Sequence, residues 1–287
     1  TFLGYQTGVA NTTGQYNSFM GYNAGLTNTT GSSNVFIGDQ AGNLNSTGSS
    51  NVFLGTTAGY SNAASNNVFL GFESGYANTS GTTDAFMGYR AGRSNTIGSA
   101  NVFVGNLSGF TNTSGGSNVA IGDQAGNLNS TGSFNVMLGF KAGFASTLSY
   151  NTFLGYQAGV ANTTGQYNAF MGYNAGLSNT SGASNVFIGN ESGKMNTFGI
   201  GNVFLGFNAG FTNTSSNNVF LGYQSGYTNL TGTSNVFLGT QSGYTNSSGD
   251  NNTFLGNQAG YANNASFNSF IGYQAGKANT TGSYNSF

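Results

Sequence analysis

The stretch Asn34-Val35-Phe36-Ile37-Gly38-Asp39-Gln40-Ala41-Gly42 decides the fold, because the chain repeats it from one end to the other. Aligning every Phe-aliphatic-Gly step places repeat starts at residues 1, 18, 35, 52, 68, 85, 102, 119, 136, 152, 169, 186, 203, 219, 236, 253 and 269. These are seventeen units, thirteen of 17 residues and four of 16, the short ones starting at 52, 136, 203 and 253. A short fixed period of this kind is the signature of a solenoid, in which each unit buries its apolar face only against its neighbours. Residues 1–287 therefore read as a single repeat array, expected to be a piece of a longer fibre or to stack its ends on other copies.

Numbering the positions of one unit 1 to 17 exposes the columns. Position 2 is Phe in fifteen units: Phe2, Phe19, Phe36, Phe53, Phe69, Phe86, Phe103, Phe153, Phe170, Phe187, Phe204, Phe220, Phe237, Phe254 and Phe270, with Ala120 and Met137 as the exceptions. Position 3 is always Leu, Ile, Met or Val, and position 7 always Ala, Ser or Thr. Gly fills positions 4 and 8 in every unit and position 14 in every long one. Position 11 is Asn except at Ser146, and the last position is Asn except at Asp84.

A helix fits this pattern poorly, since each interior Gly costs roughly 1 kcal/mol. A short aromatic and β-branched step, bounded by Asn before and Gly after, reads as a strand. The sequence predicts an all-β chain, a parallel β-solenoid with a strand at positions 1–4 and a corner at 5–8. A second strand is expected around 9–13 and a second corner at 14–17. The short units lack the Gly of that second corner, where a deletion does not exchange inner and outer faces. Residues 1–67 and 152–218 match unit by unit, which points to tandem duplication.

Neighbouring strand residues face opposite ways. Whichever of positions 2 and 3 enters the coil, the other leaves an apolar column with a rung every ~4.8 Å. Leaving such side chains in water forfeits about 1.5–3 kcal/mol apiece. An obligate oligomer is therefore expected, with the Phe column as either its interface or the core ladder.

Composition removes most chemistry. There are 49 Gly, no Pro, Cys, Trp or His, 4% charged residues and a net charge of −1. That balance gives no electrostatic footprint for nucleic acid. No apolar run approaches the ~20 residues of a spanning helix, so no membrane insertion by this segment is expected. All eleven charges fall at position 5 (Asp39, Asp123), 6 (Glu73, Arg90, Lys141, Glu191), 9 (Arg93, Lys194, Lys277) or the second corner (Asp84, Asp250). Glu73 and Arg90 share position 6 in consecutive units and should project side by side. Without His or Cys, and with scattered Lys and carboxylates, no enzyme, metal site or cofactor is expected.

Two sets of residues remain as binding candidates. Twelve units read Asn-x-Ser/Thr at position 11: Asn11, Asn28, Asn45, Asn78, Asn112, Asn129, Asn162, Asn179, Asn213, Asn229, Asn246 and Asn279. This is the N-glycosylation acceptor pattern, or else the by-product of an Asn ladder along the solenoid. Tyr60, Tyr76, Tyr227, Tyr244 and Tyr261 at position 9 are candidates for stacking on sugar rings, the alternative being packing along the surface. A hydroxyl array matching ice is a more distant reading, because Ile97, Leu148 and Phe198 interrupt position 13.

Units such as TFLGYQAGVANTTGQYN (residues 152–168) resemble the head repeats of trimeric autotransporter adhesins, the YadA-like head. They are also similar to repeats of bacterial and phage tail-fibre-like proteins. The resemblance implies a left-handed parallel β-roll, three chains around one axis, and an extracellular, cell-surface or virion-surface location. The adhesin heads differ in having a shorter unit with Ala where this chain has Phe. The function expected is a structural extracellular fibre, filament or adhesin shaft, with other copies as partners in a homotrimer or filament. A glycan-binding head that meets host-surface glycans is the alternative, and an end-to-end, glycosylated filament a further one.

Overall fold

A computed structural model describes all residues, 1–287, and every regular element in it is a strand of two or three residues, one per repeat. The chain forms two units, Thr1–Ser149 and Tyr150–Phe287. In the first, nine strands from Phe2–Leu3 to Val136–Leu138 stack in parallel and in register, so that Phe36 pairs with Phe53 and Ile37 with Leu54. In the second, eight strands from Thr152–Leu154 to Ser269–Ile271 repeat the arrangement, with Phe187 on Phe204 and Ile188 on Leu205. Each unit is a parallel β-solenoid, and its coils are numbered below in the order of the repeats.

The two faces of the strand are now assigned. Phe19 to Phe103 in the first unit and Phe153 to Phe270 in the second are buried. Their rings form a stack inside each unit, with centroids 4.7–5.1 Å apart in the first. The position-2 column is therefore the core ladder of a single chain; only Phe2 is substantially exposed, at 44%. Position 3 points out. Small residues at position 7 line the inside against the Phe rings, and where Ser stands there its hydroxyl donates to the next coil, as Ser74 Oγ does to Phe86 O at 3.1 Å. Position 8 must be Gly because Gly42 takes φ 58° and a Cβ there would lie 2.6 Å from the Phe36 ring.

The second strand expected at positions 9–13 does not form. Residues 39–44 and their equivalents make overlapping turns, in which Ala41 N–H donates to Gly38 O, Asn43 to Gln40 O and Asn45 to Gly42 O at 3.0–3.3 Å. Beyond them the N–H groups of Thr29 and Thr30 converge on the same carbonyl, Ser46 O, instead of alternating along a ladder. The position-11 amide N–H turns back into its own coil, and side chains take over the link between coils. Asn112 Nδ2 donates both to Asn95 Oδ1 of the coil before, at 2.7 Å, and to Gly115 O of its own coil, at 3.0 Å. The last position builds a parallel ladder: Asn34 Nδ2 donates to Gly48 O at 2.9 Å, and Asn34 Oδ1 accepts the N–H of Asn51 at 2.9 Å.

The short coils also need a correction. In coil 4, Ala64 O accepts from both Asn62 Nδ2 (2.7 Å) and Asn51 Nδ2 (2.8 Å), which is the role of the position-14 carbonyl elsewhere. In the other short coils Leu148, Ser215 and Ala265 likewise accept the last-position amide of the coil before, and Ala265 O also takes the Asn263 amide. The residue lost is thus the one before the corner carbonyl, because that carbonyl satisfies a buried amide of the coil before and cannot be spared.

Candidate interaction surface

The outer face of each strand row is apolar. Positions 1 and 3 both point away from the coil, and at position 3 Ile37, Leu54, Leu205 and Leu238 are 39%, 38%, 43% and 42% exposed. Val35, Val52 and Val102 beside them are half-buried at their own edge. None of the eleven charged residues belongs to this face. The result in each unit is an unbroken apolar column at position 3, flanked by a position-1 column that is mostly Val or Ala and turns to Thr or Ser at Thr1, Ser18, Thr152, Thr253 and Ser269. A water-facing antiparallel sheet would instead cover such a face with polar side chains.

The position-11 candidates for glycosylation are mostly inside. Ten of the twelve Asn are buried, the exceptions being the half-buried Asn11 and Asn279 near the ends of the described chain. Their Nδ2 atoms are occupied, as in Asn179, which donates to Asn162 Oδ1 (2.7 Å) and Gly182 O (3.0 Å). A glycan on a buried amide nitrogen has no room and would replace one of its two donor hydrogens, so the folded coil does not accommodate this modification at the ten buried positions.

The tyrosines form ladders along the surface. Phe211, Tyr227, Tyr244 and Tyr261 stack with centroids 5.1–5.2 Å apart and planes within 10°. Tyr60 and Tyr76 pair in the same way at 5.1 Å. Lys194 Nζ lies over Phe211 and Lys277 Nζ over Tyr261, 5.4 and 5.9 Å from the ring centres, and these cations close the two ends of the longer stack. Partial burial, followed by the neighbouring phenols Tyr227, Tyr261 and Tyr223, raises Tyr244 above the usual phenol range. Within the longer stack the ring faces are thus covered by other rings or by Lys, and Tyr76 lies between Tyr60 and Arg93. For Tyr76, Tyr227, Tyr244 and Tyr261 that corrects the stacking candidate: a sugar needs an open ring face, which these rings do not offer.

Beside these surface ladders runs an amide ladder that sequence reasoning missed. Gln241 donates to Gln224, Gln258 to Gln241 and Gln274 to Gln258, at 2.9–3.1 Å, all at position 6. Four Gln in one column over coils 14–17 was the available signal. Glu73 and Arg90 meet as their register requires, with Arg90 Nε donating to Glu73 Oε2 at 2.7 Å. No group of three or more Asp or Glu side chains gathers at one point. Compared with protein-family models, curated proteins and solved structures, the chain matches none of them.

Proposed function

We propose that this chain is a structural repeat protein, the shaft of an extracellular fibre, assembled from further copies through the outer face of its strand rows. The observation that carries the reading is the exposed apolar column of position 3, with the uncharged position 1 beside it. With on the order of 100 Å² of aliphatic surface per coil, the nine strands of the first unit reach the roughly 800 Å² per partner of a standard interface. A second copy presents the same flat, uncharged strip at the same rung spacing, so aliphatic rows meet aliphatic rows without desolvating a charge. The fold supplies reach and regular display, and nothing in the surface ladders requires a bound ligand to complete it.

Sedimentation tests this reading. The triple substitution Ile37→Lys, Leu54→Lys and Leu70→Lys places three adjacent like charges on the strip and should release monomers, with far-ultraviolet circular dichroism unchanged. A wild-type chain that sediments as a 29.3 kDa monomer at micromolar concentration would overturn it.

A further inference from the structure

The only two arginines of the chain, Arg90 and Arg93, lie in one coil on either side of the same turn. Both donate through Nε to a single oxygen, Glu73 Oε2, at 2.7 and 2.6 Å. The four Nη nitrogens make no hydrogen bond to the protein. Arg ordinarily meets a carboxylate with a fork of two parallel N–H bonds; here one acceptor oxygen is shared and both forks are left open.

The two guanidinium groups are nevertheless held in place. Arg90 lies over Tyr89 and Phe72, 5.0 and 5.7 Å from the ring centres, and Arg93 over Tyr76 at 5.1 Å. Their side chains are about one-third exposed, while Glu73 is more covered. Burial alone would raise Glu73, but Arg93 and Arg90 outweigh it and hold the carboxyl below its ordinary range, so it stays ionised. The cluster therefore carries one surplus positive charge. The acids of the adjoining position-5 column, Asp39 and Asp123, lie two coils before Glu73 and two coils after Arg90, each about 10 Å along the stack. That separation is about one Debye length at physiological salt, so their effect on the cluster is weakened. Asp123 already accepts from Asn106.

We infer that Arg90 and Arg93 form a binding site for a singly charged oxyanion, a carboxylate or a sulfate half-ester. Such a group has oxygens enough for donors from both guanidinium groups and a charge that matches the surplus. The aromatic rings keep both planes in position and restrict the rotamers that a flexible arginine would otherwise have to surrender on binding.

Because the chain has two arginines, the ¹⁵N spectrum of its Arg side chains holds two Nε–H signals, and each reports on one arm of the site. Titration with sodium methyl sulfate or sodium acetate, at constant ionic strength in chloride, should move both signals along one saturable curve with a shared midpoint in the millimolar range. Methyl glucoside should move neither. Arg93→Gln should weaken binding at the remaining Arg90 by about tenfold or more, as loss of a charge-assisted pair of bonds implies; Arg90→Gln should do the same at Arg93. The relative midpoints of the two salts tell sulfate from carboxylate. Shifts that grow linearly and match those given by chloride would overturn the site, as would a midpoint at one arginine unmoved by loss of the other.

Discussion

Coils 12–16 of the second unit and coils 5–9 of the first are built from the same columns, but only the first of these stretches keeps its Phe and Asn columns intact. From Phe187 to Phe254 the inner stack is unbroken, with ring centroids 4.7–4.9 Å apart. Coils 5–9 instead carry Asp84 in the Asn column, Ala120 and Met137 in the Phe column, and Ser146 at position 11. In coil 8 the space beside Gly126, which the coil's own ring fills elsewhere, holds the Sδ and Cε of Met137, contributed from coil 9. Ala120 and Met137 are both fully buried. A column defect is thus repaired by the adjacent rung, using a side chain flexible enough to reach it. In a solenoid, the unit of packing is the pair of neighbouring coils and not the repeat.

The largest effect should come from breaking the regular stretch. Phe204→Ala removes a fully buried ring with rings on both sides, and should cost about 3–5 kcal/mol. The loss should be read by hydrogen exchange at coils 12–14, since a repeat array need not unfold as one state. Equal destabilisation spread over every coil would contradict nearest-neighbour packing.

Asp84 sharpens the comparison from the irregular side. At this position Asn donates through Nδ2 to the corner carbonyl of the next coil, here Gly98 O, and a carboxylate cannot. Asp84 accepts the Asn101 N–H at 2.8 Å and an Asn95 amide hydrogen at 3.3 Å. Its neighbours Asn67, Asn95 and Asn101 are all neutral. Burial pushes its carboxyl up to about 7, with the Asn101 N–H working the other way. A group raised on folding stabilises the fold while it keeps its proton. That contribution is complete below about pH 4, falls as the pH rises toward 7, and is gone above it. Coils 5–7 should therefore exchange faster at pH 8 than at pH 4 after correction for intrinsic rates. Asp84→Asn should abolish the dependence and stabilise the alkaline form by up to about 4 kcal/mol. A flat profile in the wild type would show that Asp84 is not the group responsible.

A third effect is smaller and tests the repair itself. Ala120→Phe alone forces a ring onto Met137 and should cost about 1–3 kcal/mol by overpacking. Adding Met137→Phe restores the regular stack and should recover most of that loss, so a double-mutant cycle should show strong coupling. Additive costs would mean that the two sites do not share one space. At the surface, Glu73→Gln removes both ion pairs and should change stability by no more than ~1 kcal/mol in thermal melts, because the arginines remain solvated.

The columns were legible because a solenoid sums the same contact many times, so each structural demand appears as a vertical run of one residue type. Phe at position 2, the Gly positions and the Asn of positions 11 and 17 were read directly, and the charge columns placed Glu73 beside Arg90. Other features left no such run. The left-handed residues at positions 6 and 16 include Gln40, Arg90, Ser50 and Tyr150, with φ from 56 to 65°. Residue type there is free, so no column marked them, although each such residue bears a conformational cost of about 1 kcal/mol. The absent second strand was hidden for a related reason: Asn and Thr at positions 11–13 fit a strand, and their hydrogen-bond pattern emerges only once neighbouring coils are in place.

The period, the strand at its start and the absence of helix follow from the sequence by itself, because they depend on local Gly, Asn and β-branched preferences repeated at fixed spacing. Which face of the strand turns inward does not. Alternation separates Phe from the aliphatic residue beside it, but both are apolar, and transfer from water favours burying either. The interior decides. A coil closed over Gly at position 8 and a small residue at position 7 leaves a flat slot that a ring fills in register with the rings of its neighbours, and the branched aliphatic column is left outside. The same closure buries the Asn of the glycosylation pattern and sets the surface tyrosines face to face, so the chemistry of both was determined by the stacking of coils rather than by the residues themselves.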